Sequence, residues 1–407
     1  MITESHVPAV DTDATENWRE RFGDAMMGSS GTPLALLERG EGCVVWDTDG
    51  KRYLDFLAGI AVNSLGHAHP VLVDAVRTQI ATLAHVSNYF ATPPQLELAE
   101  RLLRLTGAGN DGRVFFGNSG AEAIEAGVKL ARLNHQGGHR PRILSLRNSF
   151  HGRTMGALSL TGKPTLREAF EPLLPGVEHI DSSIEALEAA MDESVAALFI
   201  EPIKGEAGVH DLPEGYLQRA RELCTRHGAL LILDEIQTGV GRTGNWFAFQ
   251  GHGIVPDALA LAKGIAGGVP IGALVTFGGA SELFLPGQHG STFGGNPLAT
   301  AAGNAVLGEI ERAGLIENAA RRGEQLRELI GSIGSPLITE IRGEGLLIGL
   351  GLAKPLGHPL ADEALKLGLI INAPNDSSIR IAPPLIVGDA EIAEFRTLFT
   401  QALEAIA

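Results

Sequence analysis

Short, unbroken apolar runs separated by helix-like stretches constrain this chain most. The runs are Val114–Phe116, Ile143–Leu146, Ala196–Ile200, Leu230–Leu233 and Ala258–Ala262. Apolar runs that do not alternate with polar residues signal strands buried on both faces. Between them, Glu122–Leu133 and Tyr216–His227 carry apolar residues at helical spacing. The pattern predicts an α/β fold, a large domain whose mainly parallel sheet is flanked by helices.

The pattern changes after about residue 300. Helical stretches at Ala299–Arg312 and Ile316–Ile330 precede strands at Leu346–Leu350 and Ile379–Ile381, then a terminal helix. Near the other end, Val44–Trp46, the turn Asp47–Lys51 and Tyr53–Leu57 read as a hairpin. The expected division is a disordered arm over 1–16, an N-terminal segment over 17–63 and a large domain over 64–298. Residues 299–407 form a smaller α+β domain that the N-terminal segment joins.

Charge narrows the function. The 407 residues carry 32 Lys+Arg against 48 Asp+Glu, a net charge of −16. Phosphate backbones and anionic lipid would repel such a chain, which disfavours nucleic acid and membrane surfaces as partners. Two distant cysteines, Cys43 and Cys224, offer neither a disulfide framework nor a zinc-ligand spacing. The acidic N-terminus has no leader-like apolar stretch and no run is long enough to span a bilayer, so a reducing cytoplasm is expected.

Three runs end in ionisable residues, Glu201, Asp234 and Lys263, spaced 33 and 29 residues apart. Each interval suits one strand–helix–strand unit, and ligands of open α/β sheets bind beyond the carboxyl ends of the strands. The residues either mark strand ends or converge on one crevice. An Asp and a Lys converging in this way suit pyridoxal phosphate, which needs a lysine for a Schiff base and a carboxylate to keep its ring nitrogen protonated. Gly117–Glu122 (GNSGAE) follows a run and opens a helix. Its Ser119-x-x-Glu122 is a capping-box pattern, and such a helix start favours a phosphate.

The segments FFGNSGAEAIEAGVKLAR (115–132), SFHGRT (149–154), EPIKGEAGV (201–209), LLILDEIQTGVGRTG (230–244), LAKGIAGGVPIGA (261–273) and GSTFGGNP (290–297) resemble the class III, fold-type I pyridoxal-phosphate aminotransferases. GIAVNSLGHAHP (59–70) and IRIAPPL (379–385) extend the likeness to both flanks. Within the family the chain is most similar to the bacterial acetylornithine aminotransferases. The resemblance implies a reaction of N2-acetyl-L-ornithine and 2-oxoglutarate that gives N-acetyl-L-glutamate 5-semialdehyde and L-glutamate. Ornithine, succinylornithine and other ω-amino acids remain alternative substrates, and aminomutase or decarboxylase chemistry a more distant one. Ornithine enzymes carry a Tyr shortly before the segment matching Pro33–Gly40. Here Met27–Thr32 has none, which favours the acetylated substrate.

The resemblance also implies roles. Lys263 forms the Schiff base and moves the proton, and Asp234 pairs with the ring nitrogen. Glu235, Ile236 and Gln237 belong to the cofactor site, with Ile236 under the ring, Gln237 on its hydroxyl and Phe150 on the other face. Ser119, Gly120 and Ala121 hold the phosphate, which Thr292 reaches from the partner subunit of a homodimer. Arg153, Ser291, Arg380 and Glu206 bind substrate. Alternation with Ile379 and Ile381 turns Arg380 away from an apolar face. Lys204 and Ile124 depart from the family's usual Gln and Asn; Ile124 fits the helix's apolar face, while Lys204 brings a charge near Glu201 and Glu206.

Two patterns point elsewhere. Gly239–Gly244 is formally G-x-G-x-x-G, but an aromatic segment rather than an amphipathic helix follows. His67-Ala68-His69 reads as turn hydrogen bonding rather than a metal pair. His151 is either a support for the pocket or a surface residue.

Overall fold

A computed structural model describes residues 17–29, 31–134 and 140–406. The expected arm over 1–16 lies outside them. The five apolar runs and two further strands form a seven-stranded sheet: β1 (Arg113–Gly117), β2 (Arg142–Leu146), β3 (Val177–Ile180), β4 (Val195–Ile200), β5 (Leu230–Asp234), β6 (Ala258–Leu261) and β7 (Gly272–Thr276), of which β3 and β7 did not stand out as runs. Their spatial order is β1-β7-β6-β5-β4-β2-β3. The pairs β6–β5, β5–β4, β4–β2 and β2–β3 are parallel, while β7 runs antiparallel to both neighbours. Every residue of β4, β5, β6 and β7 is buried, as two covered faces require.

Helix α1 (Gly120–Leu133) buries Ile124, Gly127, Val128 and Ala131 against this sheet. Gly127 allows the approach: a Cβ there would stand 3.1 Å from the Phe199 ring. Helix α2 (Tyr216–His227) begins and ends where its periodicity predicts, with glycines 215 and 228 at the two caps. Helices α3 (Pro297–Arg312) and α4 (Leu315–Ile333) are longer than their apolar repeats suggested.

Two smaller sheets flank the large one. The N-terminal meander of Leu37–Glu41, Val44–Asp47 and Arg52–Asp55 gains Leu369–Ile370 as a parallel fourth strand. Asp47 closes its turn, its Oδ1 accepting the N–H of Asp49 and of Lys51. The other sheet is antiparallel, in the order Ile338–Glu344, Leu347–Leu352, Ser378–Ile381 and Asn372–Asn375. The strand carrying Arg380 is therefore internal. A C-terminal helix, α5 (Asp389–Ile406), buries Phe395 and Phe399; Phe395 stacks on Phe56 at 4.7 Å between centroids.

Among the described residues no helix is long and apolar enough to cross a membrane. His67 Nε2 meets Asp55 Oδ2 at 2.8 Å, and His67 bridges to Gly42, so its contacts reach across the fold rather than closing the local turn that the sequence suggested. After Gly244 only a single turn of helix follows, Ala248–Gly251.

Candidate active site

Three adjacent parallel strands deliver three ionisable groups to one end of the sheet. Glu201 follows β4, Asp234 closes β5 and Lys263 follows β6. All three line one cavity of about 420 Å³, an ordinary size for a small-molecule site. The cavity lies at the carboxyl ends of the strands, where open α/β sheets bind ligands.

The start of α1 forms one wall. Ser119 Oγ accepts the Glu122 N–H at 3.2 Å. Glu122 does not reach back to the Ser119 N–H; its Oε2 accepts the main-chain N–H and the Nδ2 of Asn118 instead. The expected capping box is thus half formed. The N–H groups of Gly120 and Ala121 lie in the first turn, where a helix supplies no partner, and both residues line the cavity. A Cβ on Gly120 would come within 2.7 Å of Ile236, so that side chain would have to shift to admit one there. The result is a cradle for an anion.

Asp234 is held from two directions. Its Oδ1 accepts the Ile236 N–H at 3.1 Å, and its Oδ2 meets His151 Nδ1 at 2.7 Å. His151 is buried, which excludes the surface alternative. Burial works against charge on this imidazole. The Asp234 hydrogen bond and the charges of Asp234 and Glu201 outweigh it, and the pKa is raised. Buried Glu201 accepts the Phe150 N–H at 2.8 Å, and burial pushes its carboxyl up to about 7.

Lys263 opens onto the cavity at a left-handed φ of +34°, an uncommon and strained conformation for a side chain that is not glycine. Desolvation, partly offset by Glu206, lowers its pKa to about 8. More of the amine is thereby free near neutral pH than for an ordinary, solvated lysine, as a nucleophile requires.

Arg380 is 1% exposed. Its Nη1 donates to Glu206 Oε1 at 2.5 Å and to Gln237 Oε1 at 3.1 Å, and its Nε donates to Asn372 Oδ1 at 3.0 Å. Its Nη2 has no hydrogen-bond partner among the described residues. Burial pushes the Glu206 carboxyl up, but the charge and hydrogen bond of Arg380 outweigh that and hold it below its ordinary value.

Of the residues expected at the site, Ser119, Gly120, Ala121, Phe150, Arg153, Glu206, Asp234, Ile236, Gln237 and Lys263 share the cavity wall. Arg380 stands behind Glu206 and Gln237. The Gln237 amide is engaged there, with Nε2 donating to Glu206 at 3.4 Å. Glu235 needs revision. It turns from the cavity, and its carboxylate accepts the N–H groups of Ala248 and Phe249 at 2.6 and 2.8 Å. Ser291 and Thr292 are off the wall; Ser291 Oγ accepts from Asn118 Nδ2 at 3.1 Å, and Thr292 is exposed. The wall also includes Asn118, Val62 and the loop Gly268–Ile271, which the sequence reading did not assign. Asn118 sits inside GNSGAE and Val62 inside GIAVNS, so both motifs held the signal. Lys204 is off the wall and donates to Ser182 Oγ at 2.9 Å.

This geometry has close relatives. The family described as aminotransferase class-III matches residues 26–403. Acetylornithine aminotransferase of Streptomyces coelicolor is 50% identical over 94% of either chain, and that of Mycobacterium tuberculosis is 49% identical over 94% of each. The ornithine aminotransferase of Toxoplasma gondii superposes with a TM-score of 0.91 at 33% identity, covering 96% of this chain and 95% of that one. N-acetylornithine aminotransferase from Stenotrophomonas maltophilia gives 0.81 at 36% identity, covering 92% and 96%. By sequence over nearly its whole length, and by fold, this chain belongs to the class-III aminotransferases.

Proposed function

We propose that this enzyme transfers the terminal amino group of N2-acetyl-L-ornithine to 2-oxoglutarate. The products are N-acetyl-L-glutamate 5-semialdehyde and L-glutamate, in arginine biosynthesis, with pyridoxal 5'-phosphate held in the cavity. The observation that carries the reading is the pairing of buried Arg380 with Glu206 beside a wall that holds both Lys263 and Arg153. The names of the curated relatives support the same substrate.

The residues fit the cofactor. The Ser119–Ala121 turn offers free N–H groups for its phosphate, Asp234 backed by His151 offers a fixed carboxylate for its ring nitrogen, and Phe150 and Ile236 offer two apolar faces. When bound, pyridoxal phosphate supplies a carbonyl carbon that takes up the amino group and a ring that absorbs the electron pair released at the substrate C–H bond. Lys263 Nζ, as the free amine, would hold the cofactor at its carbonyl carbon and, once released, would move a proton at the substrate carbon.

The two substrates differ in where a carboxylate lies. Acetylornithine reacts at its far amine, so its one carboxylate is distant from the reacting carbon. 2-Oxoglutarate has one carboxylate beside that carbon and another far away. Arg153 serves the distant carboxylate of both, and Arg380 the near one of 2-oxoglutarate. With acetylornithine bound and no carboxylate beside it, Arg380 would be a buried cation with only the neutral acceptors Gln237 and Asn372, which is costly. Glu206 neutralises it and releases it when 2-oxoglutarate arrives.

The reading takes the enzyme as a cytoplasmic homodimer with shared sites, built from a large domain over 64–298 and a small one from 17–63 and 299–407. Phe293, next to Thr292, is 60% exposed and meets the His85 ring at 5.2 Å; Tyr89 and Phe90 are also exposed. An apolar surface of this kind suits a subunit contact that would bring Thr292 to the partner's phosphate. Cys43 and Cys224 are buried and unpaired, which suits a reducing compartment.

Steady-state kinetics with 2-oxoglutarate and each of acetylornithine, ornithine, succinylornithine and γ-aminobutyrate tests the substrate. The highest kcat/KM is expected for acetylornithine. A higher value for ornithine would move the assignment to the alternative that the Toxoplasma neighbour represents.

A further inference from the structure

A second cavity, of about 690 Å³, lies behind the segment that carries Glu206. Lys163, Lys204, His210, Asp211, Asn148 and Ser182 contribute to its wall. Ala207, the residue after Glu206, also lines it, so one short segment, Gly205–Ala207, separates the two cavities.

Lys204 is buried and Lys163 half-buried, and each has a neutral acceptor. Lys163 Nζ donates to the main-chain carbonyl of Glu206, and Lys204 Nζ donates to Ser182 Oγ at 2.9 Å. Neither is within ion-pair distance of a carboxylate among the described residues. Asp211 stands in the same wall, with Oδ2 accepting the Gly343 N–H at 3.4 Å. Burial lowers the pKa of both lysines despite the fields of Glu206 and Glu201 at Lys163, and of Glu201 and Asp181 at Lys204. His210 is lowered by burial, then by Arg342 and Lys204. Two partly dehydrated ammonium groups facing one cavity with only neutral acceptors are an unsatisfied arrangement. A bound anion would complete it with charge-assisted hydrogen bonds.

We propose that this cavity binds a small oxyanion, a carboxylate or a phosphate, between Lys163 and Lys204, and that its binding acts on Glu206. The coupling has a direct path. An anion draws Lys163 Nζ away from the Glu206 carbonyl, which removes a tie that holds the segment in place. Glu206 then leaves Arg380 more readily, and the glutamate half-reaction gains over the acetylornithine half-reaction. By linkage, a ligand that opens the Arg380 pair should tighten the anion by the same factor. The coupling rests on the Glu206 gate proposed above; the binding site does not.

Calorimetric titration of the holoenzyme tests the site, because cofactor already fills the phosphate cradle. Inorganic phosphate and malonate are the two probes, and the tighter one identifies the oxyanion class. Saturable binding is expected, weakened about tenfold or more by Lys204→Gln and by Lys163→Gln, the usual loss for one charged hydrogen bond. Arg153→Gln, at the substrate site, should leave it unchanged. Visible absorbance and Tm verify that each variant is folded and loaded; if one lysine variant fails to fold, the other carries the test. Absence of saturable binding, unchanged affinity in a folded lysine variant, or loss on Arg153→Gln overturns the site. Stopped-flow half-reactions with and without phosphate test the coupling. The ratio should shift toward glutamate in the wild type and stay fixed in Lys163→Gln. An unchanged wild-type ratio alongside proven binding overturns the coupling alone. Absence of any transamination would instead sink the enzymatic reading and leave the binding result intact.

Discussion

Glu206 Oε1 accepts a hydrogen bond from Arg380 Nη1 at 2.5 Å, and this contact joins two segments 174 residues apart. It neutralises a guanidinium that is almost wholly buried. Replacing Glu206 by Ala would leave Arg380 open at all times. The glutamate half-reaction should then speed up and the acetylornithine half-reaction slow down. A change of about 1–3 kcal/mol, roughly 5- to 150-fold in their ratio, is the ordinary size for freeing one charge-assisted partner. Stopped-flow measurement of both half-reactions checks it, and an unchanged ratio would mean that Glu206 is not the gate.

The His151–Asp234 contact predicts a graded pair of defects. Asp234→Asn should retain the cofactor but lose turnover by about 100- to 1,000-fold, since charge at the ring nitrogen would no longer be stabilised. His151→Gln keeps one hydrogen bond to Asp234 without the charge. Its loss should be smaller, about 10- to 150-fold, with an altered pH dependence of the cofactor's visible band. If the two variants retain both wild-type rates and that pH dependence, the electron-sink role of this pair fails.

Lys263 sets a pH dependence whose sign follows from its environment. Desolvation lowers its pKa to about 8, so protonated amine dominates below that pH and free amine above it. The initial rate at which apoenzyme captures pyridoxal phosphate should rise roughly tenfold from pH 7 to pH 9, with the half-rise near 8. Borohydride should then fix the cofactor on the Lys263 peptide. A rate still climbing beyond pH 10 would indicate an ordinary, solvated lysine, and label on another lysine would remove Lys263 from the role.

Thr292 gives a prediction about assembly. Lys263→Ala and Thr292→Ala should each be poorly active alone. In the mixed dimer one site carries both lesions and the other neither, so mixing should restore part of the activity. If labelled subunits exchange and no activity returns, each site is built within a single chain.

Much of this site was legible because the relevant residues sit at the ends of periodic elements. The runs that form β4, β5 and β6 end at Glu201, Asp234 and Lys263, and their spacing alone points to one crevice. Alternation around Arg380 gave its direction but not its burial, because nothing local indicates that Ser378–Ile381 lies inside a sheet. The strand β7 was missed: Gly272–Thr276 is short, and its reversed direction depends on pairing with β1 and β6. His151 stayed ambiguous because its partner is 83 residues away. Glu235 shares a motif with Asp234 and Gln237, yet its carboxylate turns the other way and caps a buried turn. Motif membership could not separate those directions.

The central claim is that nitrogen passes from the far amine of acetylornithine to 2-oxoglutarate by way of the cofactor, with Lys263 holding that cofactor and moving the proton. Incubating the enzyme with acetylornithine labelled with ¹⁵N at its terminal amine and unlabelled 2-oxoglutarate tests it directly. The account predicts labelled glutamate and N-acetylglutamate semialdehyde in equal amounts, and neither with Lys263→Ala. Unlabelled glutamate, or turnover of acetylornithine without 2-oxoglutarate, would contradict it.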